Sequence, residues 1–105
     1  MKKVAPAVSY EEQEIREFRE NPERARAYLS AAIEVAFEEN DPEIVLTALA
    51  VVAKAAGMSR IAKKAELRRE SLHRMLSKRG NPEWNSLFRV LRALDLRLSV
   101  VPAAA

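Results

Sequence analysis

Apolar side chains recur every third or fourth residue along most of the chain, the period of an α-helix with one buried face. Three of these stripes begin with the same device: Asn21-Pro22-Glu23, Asp41-Pro42-Glu43 and Asn81-Pro82-Glu83. Asn or Asp caps a helix start, Pro pre-sets φ where no donor is needed, and the acid meets the positive end of the helix dipole. After the first start the predicted buried face is Ala25, Tyr28, Leu29, Ala32, Ile33, Ala36 and Phe37. After the second it is Ile44, Val45, Ala48, Leu49, Val52, Ala55 and Ala56, ending at Gly57, a residue suited to a left-handed helix cap. Trp84, Leu87, Phe88, Leu91 and Leu94 follow the third start, which places Trp84 in the core. Ahead of all of them, Ser9 and Glu12 match a capping box that opens a helix over about 10–19. Only Tyr10, Ile15 and Phe18 are apolar there, so this helix needs docking, either on the body or on a partner.

Between the second and third starts, the run GMSRIAKKAELRRESLHRML breaks into two short pieces. Ile61, Ala62 and Ala65 fit one helix over about 60–65 behind a Ser59 cap. Leu72, Met75 and Leu76 fit a second over about 69–78, stopping at Gly80, with Glu66-Leu67-Arg68 as the turn. A small residue at Ala62, a turn four positions on and an aliphatic ten positions on at Leu72 is the spacing of a helix-turn-helix. The small side chain lets the helices approach, and the aliphatic locks the second onto the first. Met58 and Met75 read as core fillers. Near the end, Leu96, Leu98 and Val100 alternate with Arg97, Ser99 and Val101, a strand pattern. A lone strand leaves its edges unpaired, so it calls for either the N-terminal arm or the same strand of a second subunit. The expectation is an all-α domain of five to six helices with a short C-terminal β-strand. Residues 1–40 hold an arm and acidic helices, 41–101 the helix-turn-helix part and 102–105 a tail.

Charge divides the chain at the same place. Residues 1–41 carry six basic and ten acidic side chains, net −4, whereas 42–105 carry twelve and five, net +7. The nine basic residues from Lys54 to Arg79 face only Glu66 and Glu70. A patch this dense attracts polyanions, and an acidic N-terminal part is repelled by them, so two partners of opposite charge are expected. On the second helix Arg69, Glu70, His73 and Arg74, with Ser77, are the candidates to face a major groove, and Arg68 of the turn is a further DNA-binding candidate. Arg pairs bidentately with guanine, and Glu accepts from cytosine N4. Ser59, Lys63, Lys64, Lys78 and Arg79 are candidates for phosphates, which position without specifying sequence. The alternative is an ordinary solvated basic face. There is no cysteine for thiolate metal sites, one histidine and no glycine-rich phosphate loop, so no nucleophile–base–orienter set, metal site or cofactor site is predicted. No apolar run approaches the ~20 residues of a membrane span, and a cytoplasmic protein is expected.

With these residues placed, the chain resembles the probable addiction-module antidote proteins, HigA-like antitoxins of the Xre/Cro type. The segments NPERARAYLSAAIE, DPEIVLTALAVVAKAAGMSRIAKKAELRRESLHRMLSKRGNP and SLFRVLRALDLRLSV carry it. The resemblance implies a lambda-repressor-like fold and an antitoxin that neutralises a RelE/HigB-type ribonuclease toxin. It also implies a homodimer that represses its own operon on double-stranded operator DNA. A stand-alone Xre/Cro-type repressor is the alternative. The family usually has glycine where this chain has Glu66 and Asp95, and a Ser or Asn cap where it has Arg68. Such a toxin must bind RNA and is expected to be basic, so Tyr10, Glu14, Ile15 and Phe18 on the first helix are candidates to cover it. The competing reading is an ordinary packed helix. Leu96, Leu98 and Val100 are the candidates for the dimer interface.

Overall fold

The computed structural model describes residues 9–77 and 79–103. Among them are six helices and no strand: α1 (Tyr10–Glu20), α2 (Pro22–Glu39), α3 (Glu43–Ala56), α4 (Met58–Ala65), α5 (Arg69–Met75) and α6 (Trp84–Ala93). The 1–8 arm, Lys78 and the last two residues of the tail lie outside the described residues.

The N-terminal capping box forms as its residues require. The Glu12 backbone N–H donates to Ser9 Oγ at 3.0 Å, and the Ser9 N–H donates back to Glu12 Oε1 at 3.1 Å. Helix α3 is the hub, because it is apolar on nearly every side: Ala48, Leu49, Val51 and Ala53 are all buried. α1 and α2 pack on it, and α4 leaves it at 103° across Gly57. α5 and α6 then pack on α4. Arg19 fastens α1 to the hub, its guanidinium donating to the carbonyls of Ala55 at 3.2 Å and Lys54 at 3.4 Å. Both carbonyls belong to the last turn of α3; that of Lys54 also accepts the Gly57 N–H at 3.2 Å.

Three helices end the same way. The N–H groups of Asp41, Leu67 and Leu96 reach back to Ala36, Ala62 and Leu91 at 2.8–2.9 Å, and the residue before each has positive φ: Asn40, Glu66 and Asp95. This is the Schellman closure, which favours glycine. The two departures at Glu66 and Asp95 therefore leave the motif intact and occupy its left-handed position with ordinary side chains.

Several expectations need correction. Residues 96–103 form no strand, because a strand exists through ladder hydrogen bonds. Past Leu96 no described residue makes a backbone hydrogen bond to another segment. Trp84 is not in the core but 57% exposed: α6 buries its second half through Val90, Leu91 and Ala93, and the first-turn indole packs edge-on against Phe88 at 5.8 Å. Phe37 is exposed too, because the neighbouring Ala36, about 100° away around α2, takes the inward position. Ser59 lies inside α4 rather than capping it; Gly57 is the cap. The third Pro device opens its helix two residues late, at Trp84, and α5 ends at Met75, short of the expected 78.

Candidate nucleic-acid interface

Helices α4 and α5 are joined by Glu66-Leu67-Arg68 and share one apolar seam. Ile61, Ala62 and Ala65 from α4 meet Leu72 from α5, with Leu76 and Val90 sealing the far side; Leu72 is 0% exposed. Leu67 is half-buried against the same cluster, so the turn is pinned from inside. Helix α5 has no side-chain N-cap, since Arg68 stands at that position. At seven residues it is too short to be stable alone and depends on the seam. Its exit is held by backbone proximity: a Cβ on Gly80 would lie 2.2 Å from the Met75 carbonyl oxygen. Only glycine fits that approach.

Burying one face of both helices turns their polar residues to solvent on the other. Arg60, Lys63 and Lys64 of α4, Arg68 of the turn, Arg69, Glu70, His73 and Arg74 of α5, and Arg79 beyond it are all exposed, as is Ser59. Lys78 is outside the described residues. None of these cations joins an ion pair among the described residues. The pairs present are Arg24–Glu17 and Lys54–Glu11, each at 3.1 Å, and neither includes a residue of α4 or α5. Arg60 is engaged by its Nε, which donates to the Ala56 carbonyl at 3.1 Å, and the Ser77 hydroxyl donates to the Arg74 carbonyl at 2.8 Å. Apart from Glu70, the rest of the ridge is positive charge with no ion-pair partner among the described residues, on an edge backed by the buried seam. Such an edge can bind a polyanion by releasing its counterions.

The residues expected to touch a protein partner are divided. Phe18, 6% exposed, and Ile15 turn into the core, so α1 is a packed helix on that side. Tyr10 is 77% exposed, and Glu14 lines a pocket between α1 and α2. Of the residues expected at a dimer interface, Leu98 and Val100 are exposed, Val100 at 96%, whereas Leu96 rests on the core.

A family model described as probable addiction module antidote protein matches residues 9–102. The chain belongs to that family. An uncharacterized protein of Haemophilus influenzae is 40% identical over 63 residues, which cover 60% of this chain and 65% of that relative. No solved structure matches the chain.

Periodicity alone missed two features of this chain, the exposed first turn of α6 beside Leu98 and Val100, which alternation had already singled out, and the contacts of Arg19. Trp84, Phe88, Leu98, Val100 and Val101 are large, apolar and exposed near one another in sequence, and Trp84 and Phe88 line one groove with Leu98. The stripe on α6 gave no signal separating its outward first turn from its buried second half. The Arg19 contacts were also missed, because nothing local marks an arginine that reaches carbonyls 35 and 36 residues away. Among the described residues, no single helix is long and apolar enough to cross a membrane.

Proposed function

We propose that this antidote is a DNA-binding antitoxin of the HigA-like, Xre/Cro helix-turn-helix type. On this reading α4–turn–α5 is a lambda-repressor-like helix-turn-helix and α5 is its recognition helix. The chain works as a homodimer that presents two recognition helices to successive major grooves about 34 Å apart. It represses its own operon and neutralises a RelE/HigB-type ribonuclease toxin. The observation that carries the DNA half is the unpaired cationic ridge over α4 and α5, backed by the buried Ile61–Leu72 seam. Family membership supports the toxin half. The exposed Leu98, Val100 and Val101 with Trp84 and Phe88 support a dimer surface that includes the expected Leu96–Leu98–Val100 face.

Arg69, Glu70, His73 and Arg74 then read bases, while Ser59, Lys63, Lys64, Arg68, Lys78 and Arg79 hold phosphates. Fluorescence anisotropy with the chain's own upstream DNA and with a scrambled duplex, across a salt series, tests this. Arg74→Ala should weaken operator binding by about 1–3 kcal/mol and leave scrambled DNA nearly unaffected. Equal losses on both duplexes would reduce Arg74 to a phosphate contact, and no salt-dependent binding at all would end the DNA reading. Co-expression with a toxin encoded beside it should restore growth if the antidote half is right.

A further inference from the structure

Between α1 and α2 lies a half-open recess of about 540 Å³. Its walls combine carboxylates and aromatic faces with one guanidinium, that of Arg24, which is taken up by Glu17. Tyr10 and Glu14 come from α1, Tyr28 from α2, and the Tyr28 ring lies 4.9 Å from that of Phe18, tilted at 43°. Glu11, Glu14 and Glu17 share one side of α1 at three-residue spacing. Two of them already hold cations: Glu11 takes Lys54 and Glu17 takes Arg24, each at 3.1 Å. Glu14, half-buried between them, has no cation among the described residues.

We propose that this pocket receives an arginine side chain from the basic toxin, its guanidinium on the Glu14 carboxylate and against the Tyr10 and Tyr28 rings. The inference rests on the antidote reading and narrows it to one side-chain chemistry. A guanidinium fits because it is planar, donates to a carboxylate through two parallel N–H groups and stacks on aromatic faces. An ammonium offers only the point charge. Anions are repelled by three carboxylates in a row. The carboxyl of Glu14 is pushed above its ordinary value by burial, then by Glu11 and Glu17, and the Tyr28 hydroxyl is raised by burial, then by Glu14, Glu11 and Tyr10. Burial is the larger cause in both, and the neighbouring carboxylates add to it; a cation bound at Glu14 would favour its charged form. The pocket lies on α1 and α2, whereas the cationic ridge lies on α4 and α5, so one chain can hold both partners.

The test is an NMR titration of the full, isotope-labelled chain with a capped tripeptide carrying one arginine between two glycines. Lysine and citrulline versions serve as controls. Saturable shifts are expected at Gln13, Glu14, Ala27 and Tyr28, strongest for arginine and absent for uncharged citrulline. Glu14→Gln should weaken binding roughly tenfold or more, the scale of one charge-assisted hydrogen bond. Tyr28→Leu should weaken it further without unfolding the chain, as judged by circular dichroism. The proposal is overturned if lysine matches arginine, if citrulline binds, or if Glu14→Gln has no effect. Shifts spread over Glu34, Glu38 and Glu39 would also overturn it, as would shifts produced by raising the concentration of the chain alone, which would assign the pocket to a second copy. Growth rescue by the wild-type chain alongside a failed titration removes the pocket and leaves the antidote reading standing. A successful titration without growth rescue does the reverse.

Discussion

The two ends of this molecule are built on opposite plans. At α1–α2 most charge is negative, ion pairs tie Glu11 and Glu17 to cations, and the aromatic rings of Phe18 and Tyr28 stack beside an open pocket. At α4–α5 the cations have no ion-pair partner among the described residues, and Ile61, Ala62, Ala65 and Leu72 form a buried seam without an aromatic ring. The difference separates two ways of holding a surface ready. A polyanion is met by charge on a rigid edge, so the edge must be stiff and its cations unoccupied. A protein side chain is met in a recess, so the walls matter and some charges can be neutralised in advance.

Four substitutions sharpen or break this contrast. The largest effect is expected at the seam: Leu72→Ala removes a fully buried aliphatic and should cost about 2–5 kcal/mol in urea unfolding. A value under 1 kcal/mol would show that the α4–α5 edge is not rigidly backed. Gly80→Ala comes next. It drives a methyl into the Met75 carbonyl and should cost about 1–3 kcal/mol, loosening α5 while α1 and α2 stay folded, as amide hydrogen exchange would reveal. At the opposite end, Ser9→Ala should cost about 1 kcal/mol by removing the N-cap of α1, with little effect on the ridge. The same cap has a pH signature. The Ser9 backbone N–H, and after it the Ser9 side chain, hold the Glu12 carboxyl below its ordinary value. Its contribution is therefore complete above that ordinary value and is lost as pH falls through the lower folded one. Fraying of α1 in that acidic window should appear in wild type, shrink in Ser9→Ala, which keeps the backbone N–H, and vanish in Glu12→Gln, which has no carboxyl to titrate. The smallest effect, and one of opposite sign, belongs to Glu66→Gly. Relieving a left-handed glutamate should raise stability by up to about 1 kcal/mol without moving Leu67 from the seam. A loss of stability would mean that the Glu66 side chain contributes a contact that outweighs its strain.

How much was legible beforehand varied by element. The capping box at Ser9, the helix starts at the first two Pro devices and the turn at Glu66 were readable because each depends on residues within four positions of one another. Asn21, however, makes no side-chain cap, and Pro42 itself stands at the cap of α3, with Asp41 accepting from the Glu43 N–H. The spacing of Ala62 and Leu72 foretold the seam for a related reason: two short helices across a three-residue turn have few ways to bury so few aliphatics. Trp84, Phe37 and Phe18 were harder. Periodicity says which residues share a side of a helix, but not whether anything stands opposite that side.

Local chemistry in this chain thus set where α1, α2 and α3 begin, which side of most helices is apolar, and that the two halves carry opposite charge. These follow from backbone hydrogen bonding, side-chain volume and the order of charges along the chain. Tertiary packing alone decided that Phe18 is spent on the core while Tyr10 is not, that Arg19 closes α3, and that Trp84 and Val100 stay in solvent. The exposure of a side chain is a property of its neighbours in space, and those are supplied by segments far away in sequence.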